Sequence, residues 1–354
     1  MQDKKGLLET ERPVNVGIRT AVLVLLCCQN AGHALLARYS QGILKESYSS
    51  TEVVLVGEVI KLVASGYLAV VDRSETDAAG SGFSKLLWLA LHSKQIVVLV
   101  ILYSIANIMS YYALARVDAS VYTVLLQLKI FSTAAFAVVL LGRNISATKW
   151  RALMLLVLGC ILVASPTFNK AIDCTKEFKQ RFLSKGGEDN EDEKVNAMEA
   201  VFGVITVLAM VTISGYSAIY FEKMLKKVGE RITIWERNFQ LALYSIVLLV
   251  AIVAYELQDE YEERVEANEP LFFNGWTMNT VLIAMVQAGG GLLVAATLKY
   301  ADAVLKTLAT SGAIVMSAVL GWILFGAQLD IFVSIGCVST ILAIFNYTLD
   351  TTLG

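Results

Sequence analysis

Lys129 stands in the apolar run LLQLKIFSTAAF, residues 125–136, midway between Asp118 and Leu141. At about 1.5 Å per residue that is the middle of a membrane-length segment. A lysine at that depth costs roughly 2.5 to 3.5 kcal/mol on insertion scales, so it must face a bundle interior or a water-filled cavity. Tyr122, two turns earlier, falls on the same face if the helix is continuous. A cation and a ring then share one wall.

Polar groups recur at similar depth in other apolar runs. Glu58 and Lys61 are three apart and can neutralise each other. Asn107 interrupts SIANIMSYY, either as interhelical glue or as a ligand contact. In SGYSAIYFEK, Ser214, Tyr216 and Tyr220 share a run, the tyrosines also being candidates for interface anchors. Asn238 and Gln240 in WERNFQ are caps or contacts. Lys299 and Lys306 follow the triplet Gly289–Gly290–Gly291, which predicts a close neighbour or a bend. Lys299 can also snorkel to the interface. Several cations with few carboxylates, beside tyrosines and amides, suit an organic anion that carries a ring. On these residues alone, phosphorylated sugars, nucleotides and dicarboxylates remain open.

The elements that must position these groups are helices in a bilayer. Hydrophobic residues make up 56% of 354, with only three prolines, and mean hydropathy is +0.62. Ordinary soluble domains are not this apolar. Ten runs near the spanning length of ~20 residues centre on Leu25, Ile60, Ile105, Ile130, Leu158, Leu208, Val247, Met285, Val315 and Ile341. The alternating ~10-residue pattern of a membrane β-barrel is missing. The N-terminal MQDKKGLLETERP shows no cleavage site after a short apolar core, so the first run reads as a signal anchor. Thirteen basic residues fall in connections on the N-terminal side and four in the short loops opposite, or ten if the long acidic loop is included. This places both termini in the cytosol. The net charge of −2 identifies no partner.

Five cysteines and the two histidines, His33 and His92, offer no disulfide framework or metal spacing. No metal or cofactor is expected. A membrane glycosyltransferase would need an acid, base or metal set on a loop, and the acidic loop has no ordered motif of that kind. The chain is therefore expected not to be an enzyme, with such a transferase, or a subunit that transports nothing, as the alternatives.

Laid over itself with an offset of 184, the chain repeats. Asp118, Ala119, Thr123, Ile130, Ala134, Leu140 and Gly142 fall on Asp302, Ala303, Thr307, Ile314, Ala318, Leu324 and Gly326, seven identities in 25 ungapped positions. The expected organisation is a cytosolic tail at 1–13, five spans in 14–165, an acidic lumenal loop at 166–198, five spans in 199–350 and a cytosolic tail at 351–354. The fold class is thus an all-α membrane protein, ten transmembrane helices as two inverted five-helix repeats. An odd number of spans per half inverts the second half, a construction common in secondary carriers.

At GEVIKL (57–62), ANIMSYYALARVDASVYTVLLQLKIFSTA (106–134), SGYSAIYFEKMLK (214–226), WERNFQL (235–241) and GGLLVAATLKYADAVLKTLATS (290–311), the sequence resembles the Golgi nucleotide-sugar transporters. The group includes carriers of CMP-sialic acid, UDP-galactose and UDP-N-acetylglucosamine, within the drug/metabolite transporter superfamily. The resemblance implies antiport of a nucleotide sugar against a nucleoside monophosphate in a Golgi membrane, with the endoplasmic reticulum as the alternative. Carried over on those motifs, Lys61, Asn107, Tyr122, Lys129, Ser214, Asn238, Lys299 and Lys306 are expected around the nucleotide, and Tyr220 joins them as a candidate. Leu126 and Ala242 stand where the sialic acid carrier has tyrosines, which favours a UDP-sugar, with CMP-sialic acid and other organic anions as alternatives. Nucleic acid is not expected as a partner, and a homo-oligomer is left open.

Overall fold

The computed structural model describes residues 16–71, 82–114, 116–117, 119–164, 190–226, 232–266, 270–327 and 329–349; the side chains at 111, 119–120, 190–200, 259–264 and 266 are not described. Every regular element among them is helical. In chain order these are α1 (Val16–Ala37, extended by a π-helical turn Arg38–Ile43), α2 (Ser50–Val71), α3 (Phe83–Leu91), α4 (Lys94–Leu114), α5 (Ala119–Gln127) and α6 (Lys129–Leu141). They continue with α7 (Ala147–Val163), α8 (Asn190–Leu225), α9 (Ile234–Glu266), α10 (Met278–Tyr300), α11 (Ala303–Phe325) and α12 (Ile331–Leu349).

Nine segments among the described residues are long and apolar enough to cross a membrane, with α5 and α6 together forming one, Val121–Leu141. The tenth expected span corresponds to α7, whose 17 described residues sit at the short end of the spanning range. Apolar side chains such as Val63, Val139, Leu158 and Phe345 are exposed on the helices, as a lipid solvent requires.

The helix starts carry the sequence offset. α2, α4, α5 and α7 begin at 50, 94, 119 and 147, and α9, α10, α11 and α12 begin at 234, 278, 303 and 331, so the same offset separates every pair. α6 and α11 end at the equivalent positions Leu141 and Phe325, followed by Gly142 and Gly326, with φ of +65° and +62°. A left-handed glycine after the last turn is the usual helix stop.

The chain forms two compact units. One comprises 1–100 and 221–309 and the other 101–220 and 310–354, so each draws on both halves of the sequence. In the first, α2 packs on α9 and α10, and α1 packs on α10. Small residues bring these axes together: a Cβ on Gly57 would meet the Ala284 carbonyl at 3.4 Å, and one on Gly66 the Phe239 ring at 3.3 Å. Val53, Ile283 and Ala284 form an apolar core there with Leu36, Ile60 and Trp276.

Carboxylates fasten this unit at several places. Glu52 accepts from the Phe273 N–H and from Trp276 Nε1, both at 3.1 Å. Glu46, outside the spans, accepts from Ser40, Thr277 and Asn279; these bonds, Ser40's foremost, hold its carboxyl below the ordinary range. Glu236 pairs with Lys85 at 2.8 Å, both buried, and Lys85 also donates to the Ala69 carbonyl.

In the second unit α7 lies directly on α12. A Cβ on Gly159 would sit 2.9 Å from Thr340 N, and one on Gly336 would sit 2.7 Å from Gly159 O, so only glycine permits this backbone approach. Ala106 and Ala113 of α4, Val117, Tyr122 of α5, and Val207, Met210 and Val211 of α8 form its other core.

Candidate functional site

Four of the nine candidate residues lie in the first unit. Lys61 on α2 is 5% exposed and donates to Glu58 Oε1 at 2.6 Å. Its stem crosses α10 at Gly291, where a Cβ would meet Lys61 Cδ at 2.9 Å. The glycine run therefore marks close neighbours within a continuous helix, Gln29 at Gly290 and Lys61 at Gly291. The other oxygen, Glu58 Oε2, is buried without a hydrogen-bond partner among the described residues. Asn238 on α9 is in the same state: Nδ2 donates to the Ile234 carbonyl at 3.1 Å, while Oδ1 is buried and unpartnered among the described residues. A buried orphan acceptor costs about 1 to 3 kcal/mol, so each of the two has capacity for a donor that the described protein does not supply.

Gln240, which the sequence offers as a cap or a contact, serves as a cap. It accepts from Arg237 at 3.1 Å and donates to the Leu89 and His92 carbonyls, capping the end of α3.

Lys299 and Lys306 occupy two helices. Seven positions apart, they would share a face of a continuous helix, but the backbone breaks at Ala301, with φ −119° and ψ −123°, before α11 starts. Lys299 is in the last turn of α10, where a cation complements the helix dipole, and Lys306 is in the first turn of α11. Both side chains are half-buried.

The remaining five lie in the second unit. The shared wall of Tyr122 and Lys129 is interrupted: the Leu128 N–H bonds to the Leu125 carbonyl, three positions back, so the chain tightens locally between α5 and α6. Tyr122 is buried in the core, its hydroxyl 2.6 Å from Ser110 Oγ. Lys129 opens α6, half-buried, and its ammonium makes no hydrogen bond or ion pair with a described residue. Ser214, half-buried on α8, precedes Gly215, where a Cβ would meet Ser132 Cβ at 2.8 Å. That contact brings α8 against α6 one turn from Lys129. Tyr220 stacks on Tyr216 with centroids 6.1 Å apart, and Tyr216 meets Phe136 edge-on at 5.5 Å. Asn107 is exposed on α4.

Five buried charges escape a reading of the sequence: Glu52, Lys85, Glu222, Glu236 and Arg237. Lys85 and Glu236 find each other from α3 and α9, far apart in sequence, and Glu222 reaches the backbone at Ala303. Locally, each shows only as a charged residue beside an apolar run.

The profile of the family described as Nucleotide-sugar transporter matches residues 14–348. A UDP-N-acetylglucosamine/UDP-N-acetylgalactosamine transporter of Caenorhabditis elegans is 31% identical over 92% of this chain and 91% of its own length. The mouse UDP-N-acetylglucosamine transporter is 29% identical over 95% and 97%, and the human UDP-galactose translocator 31% over 92% and 76%. A solved crystal structure covers 91% of this chain and 98% of its own with a TM-score of 0.53 at 14% identity, a likeness of fold alone. With the match running through nearly every helix, the chain belongs to the nucleotide-sugar transporter family, whose members are carriers and not enzymes.

Proposed function

We propose that this carrier exchanges a UDP-sugar, UDP-galactose or UDP-N-acetylglucosamine, for UMP across a Golgi membrane, with ten spans, both termini in the cytosol and the halves inverted. All nine candidate residues are assigned to nucleotide binding in this reading. Lys129 carries it, a cation at mid-span with no described protein partner, for which a phosphate is the fitting counterion. The orphan acceptors Asn238 Oδ1 and Glu58 Oε2 suit the donors of a nucleobase or sugar. The UDP-sugars for which the relatives are named supply the UDP preference.

The equal helix starts support the repeat, and so does the pairing. Under an exchange of halves α2 and α9 trade places, as do α7 and α12, and each is packed against its own counterpart. The same exchange converts the packing of α1 on α10 into that of α8 on α4, which share the core around Ala106 and Met210.

Exchange follows from charge. An empty carrier that occludes an uncompensated ammonium bears its desolvation cost, and either phosphorylated ligand relieves it, so crossing is favoured when loaded. Purified protein should be thermally stabilised by UMP more than by CMP, GMP or AMP, and labelled UDP-sugar should enter proteoliposomes faster when UMP is inside. Lys129→Ala should abolish both effects while the protein stays folded. Stabilisation by none of the four nucleotides would sink the assignment, and uptake independent of internal UMP would sink the exchange.

A further inference from the structure

Among the described residues, an ion pair from outside holds the break between α10 and α11. Glu222, in the last turn of α8, is fully buried. Its Oε1 meets Lys226 Nζ at 3.0 Å, and its Oε2 accepts from the Ala303 N–H at 2.9 Å. Lys226 Nζ donates in turn to the Ala301 carbonyl at 2.6 Å. The pair therefore grips the last carbonyl before the break and the first N–H after it. Asp302, at the break itself, accepts from the Leu305 N–H at 2.7 Å, closing the first turn of α11.

Both lysines that flank this point belong to the candidate site: Lys299 lies two positions before Ala301, and Lys306 three after Ala303. The angle between α10 and α11 sets where the two ammonium groups stand relative to each other. With φ −119° and ψ −123° at Ala301, the backbone is in neither helical nor ordinary extended geometry, a conformation that persists where surrounding contacts hold it. The Glu222–Lys226 pair makes such contacts on both sides of it. A carboxylate also belongs at a helix N-terminus and a cation at carbonyls that end a helix, so the charges match the ends they hold.

We infer that Glu222 and Lys226 are positioning residues for transport, clamping α10 to α11 so that Lys299 and Lys306 converge on one phosphorylated ligand. This rests on the proposed role of those two lysines in binding the nucleotide. The clamp touches backbone and not the ligand, so its loss should spread the lysines without removing them.

The test is the KM of counterflow for UDP-sugar in proteoliposomes loaded with UMP, measured for Glu222→Ala, Glu222→Gln and Lys226→Met, with and without Lys299→Ala/Lys306→Ala. Glu222→Ala and Lys226→Met should raise KM about tenfold with a smaller change in maximal rate, and Glu222→Gln, which keeps an acceptor for Ala303, should raise it less. In the background without the two lysines, none of these changes should raise KM further. A tenfold rise that persists in that background, or wild-type KM in the clamp variants, would overturn the clamp. Wild-type KM in Lys299→Ala/Lys306→Ala alone overturns the binding role of the lysines, and the clamp with it. Should Glu222→Ala not reconstitute, Glu222→Gln and Lys226→Met decide.

Discussion

The three consecutive glycines of α10 allow a graded experiment, because the structure assigns each a different neighbour. A Cβ on Gly289 meets nothing within 4 Å, so Gly289→Ala should gain the helix preference of alanine, about 0.4 to 1 kcal/mol. On Gly291 the new methyl would stand 2.9 Å from Lys61 Cδ and 3.3 Å from its Nζ. Ordinary contact begins at 3.4 Å, so the lysine stem must yield by the difference between that distance and 2.9 Å. Lys61 is almost fully buried and bound to Glu58 at 2.6 Å, so it has little room to do so. Overpacking of this kind costs about 1 to 3 kcal/mol, against about 1 kcal/mol gained in propensity. Taking the second from the first, Gly291→Ala should be between neutral and about 2 kcal/mol destabilised. Gly290→Ala must in addition displace Gln29, whose Nε2 donates to the Val286 carbonyl at 3.1 Å, a bond of about 1 kcal/mol. Thermal unfolding of detergent-purified variants reads the order: at roughly 2 to 4 °C per kcal/mol, Gly289→Ala should melt above wild type, and Gly290→Ala below Gly291→Ala. Counterflow should show a raised KM only for Gly291→Ala and Gly290→Ala. Equal destabilisation by all three substitutions, or a raised KM in Gly289→Ala, would refute the assignment of neighbours.

Two further tests address the fasteners of the first unit. Glu236→Gln leaves Lys85, 2% exposed, as a buried ammonium without its counterion, and should cost about 3 to 5 kcal/mol; Glu236→Gln with Lys85→Met should recover much of that in thermal unfolding, and no recovery would argue against an ion-pair origin. Glu46 has a lowered folded pKa, first through Ser40, so its contribution is present above the ordinary carboxylate range and lost as pH falls through the folded value. Glu46→Gln should accordingly lower the melting temperature at pH 7 and converge with wild type in strong acid, and a deficit independent of pH would contradict the hydrogen-bonded carboxylate.

Much of the helical layout is legible in the sequence because bilayer-crossing segments announce themselves by length and apolarity, and because Asp302, Gly142 and Gly326 mark helix ends. Lys129 is equally visible, as a charge inside an apolar run. The break at Leu128 is not, since VLLQLKIF contains neither proline nor glycine and the tightening is one backbone hydrogen bond. The turn at Ala301 is hidden for a related reason: its stabilising groups, Glu222 and Lys226, come from the end of α8 and the residue after it, with the whole of α9 and α10 between them and the turn. Lys61 and Asn238 are found by type, but their different states, one paired and one with an orphan oxygen, depend on packing that no spacing reveals.

The equal spacing of helix starts in the two halves has a consequence for direction. On the proposed inversion, each matched helix start on one face of the membrane has a counterpart in the same register on the other. Neither face is then set apart as the entry, and the proposed exchange, which has no energy source beyond the gradients, runs whichever way the concentrations of its two ligands push it; reversing the gradients in proteoliposomes reverses the flux.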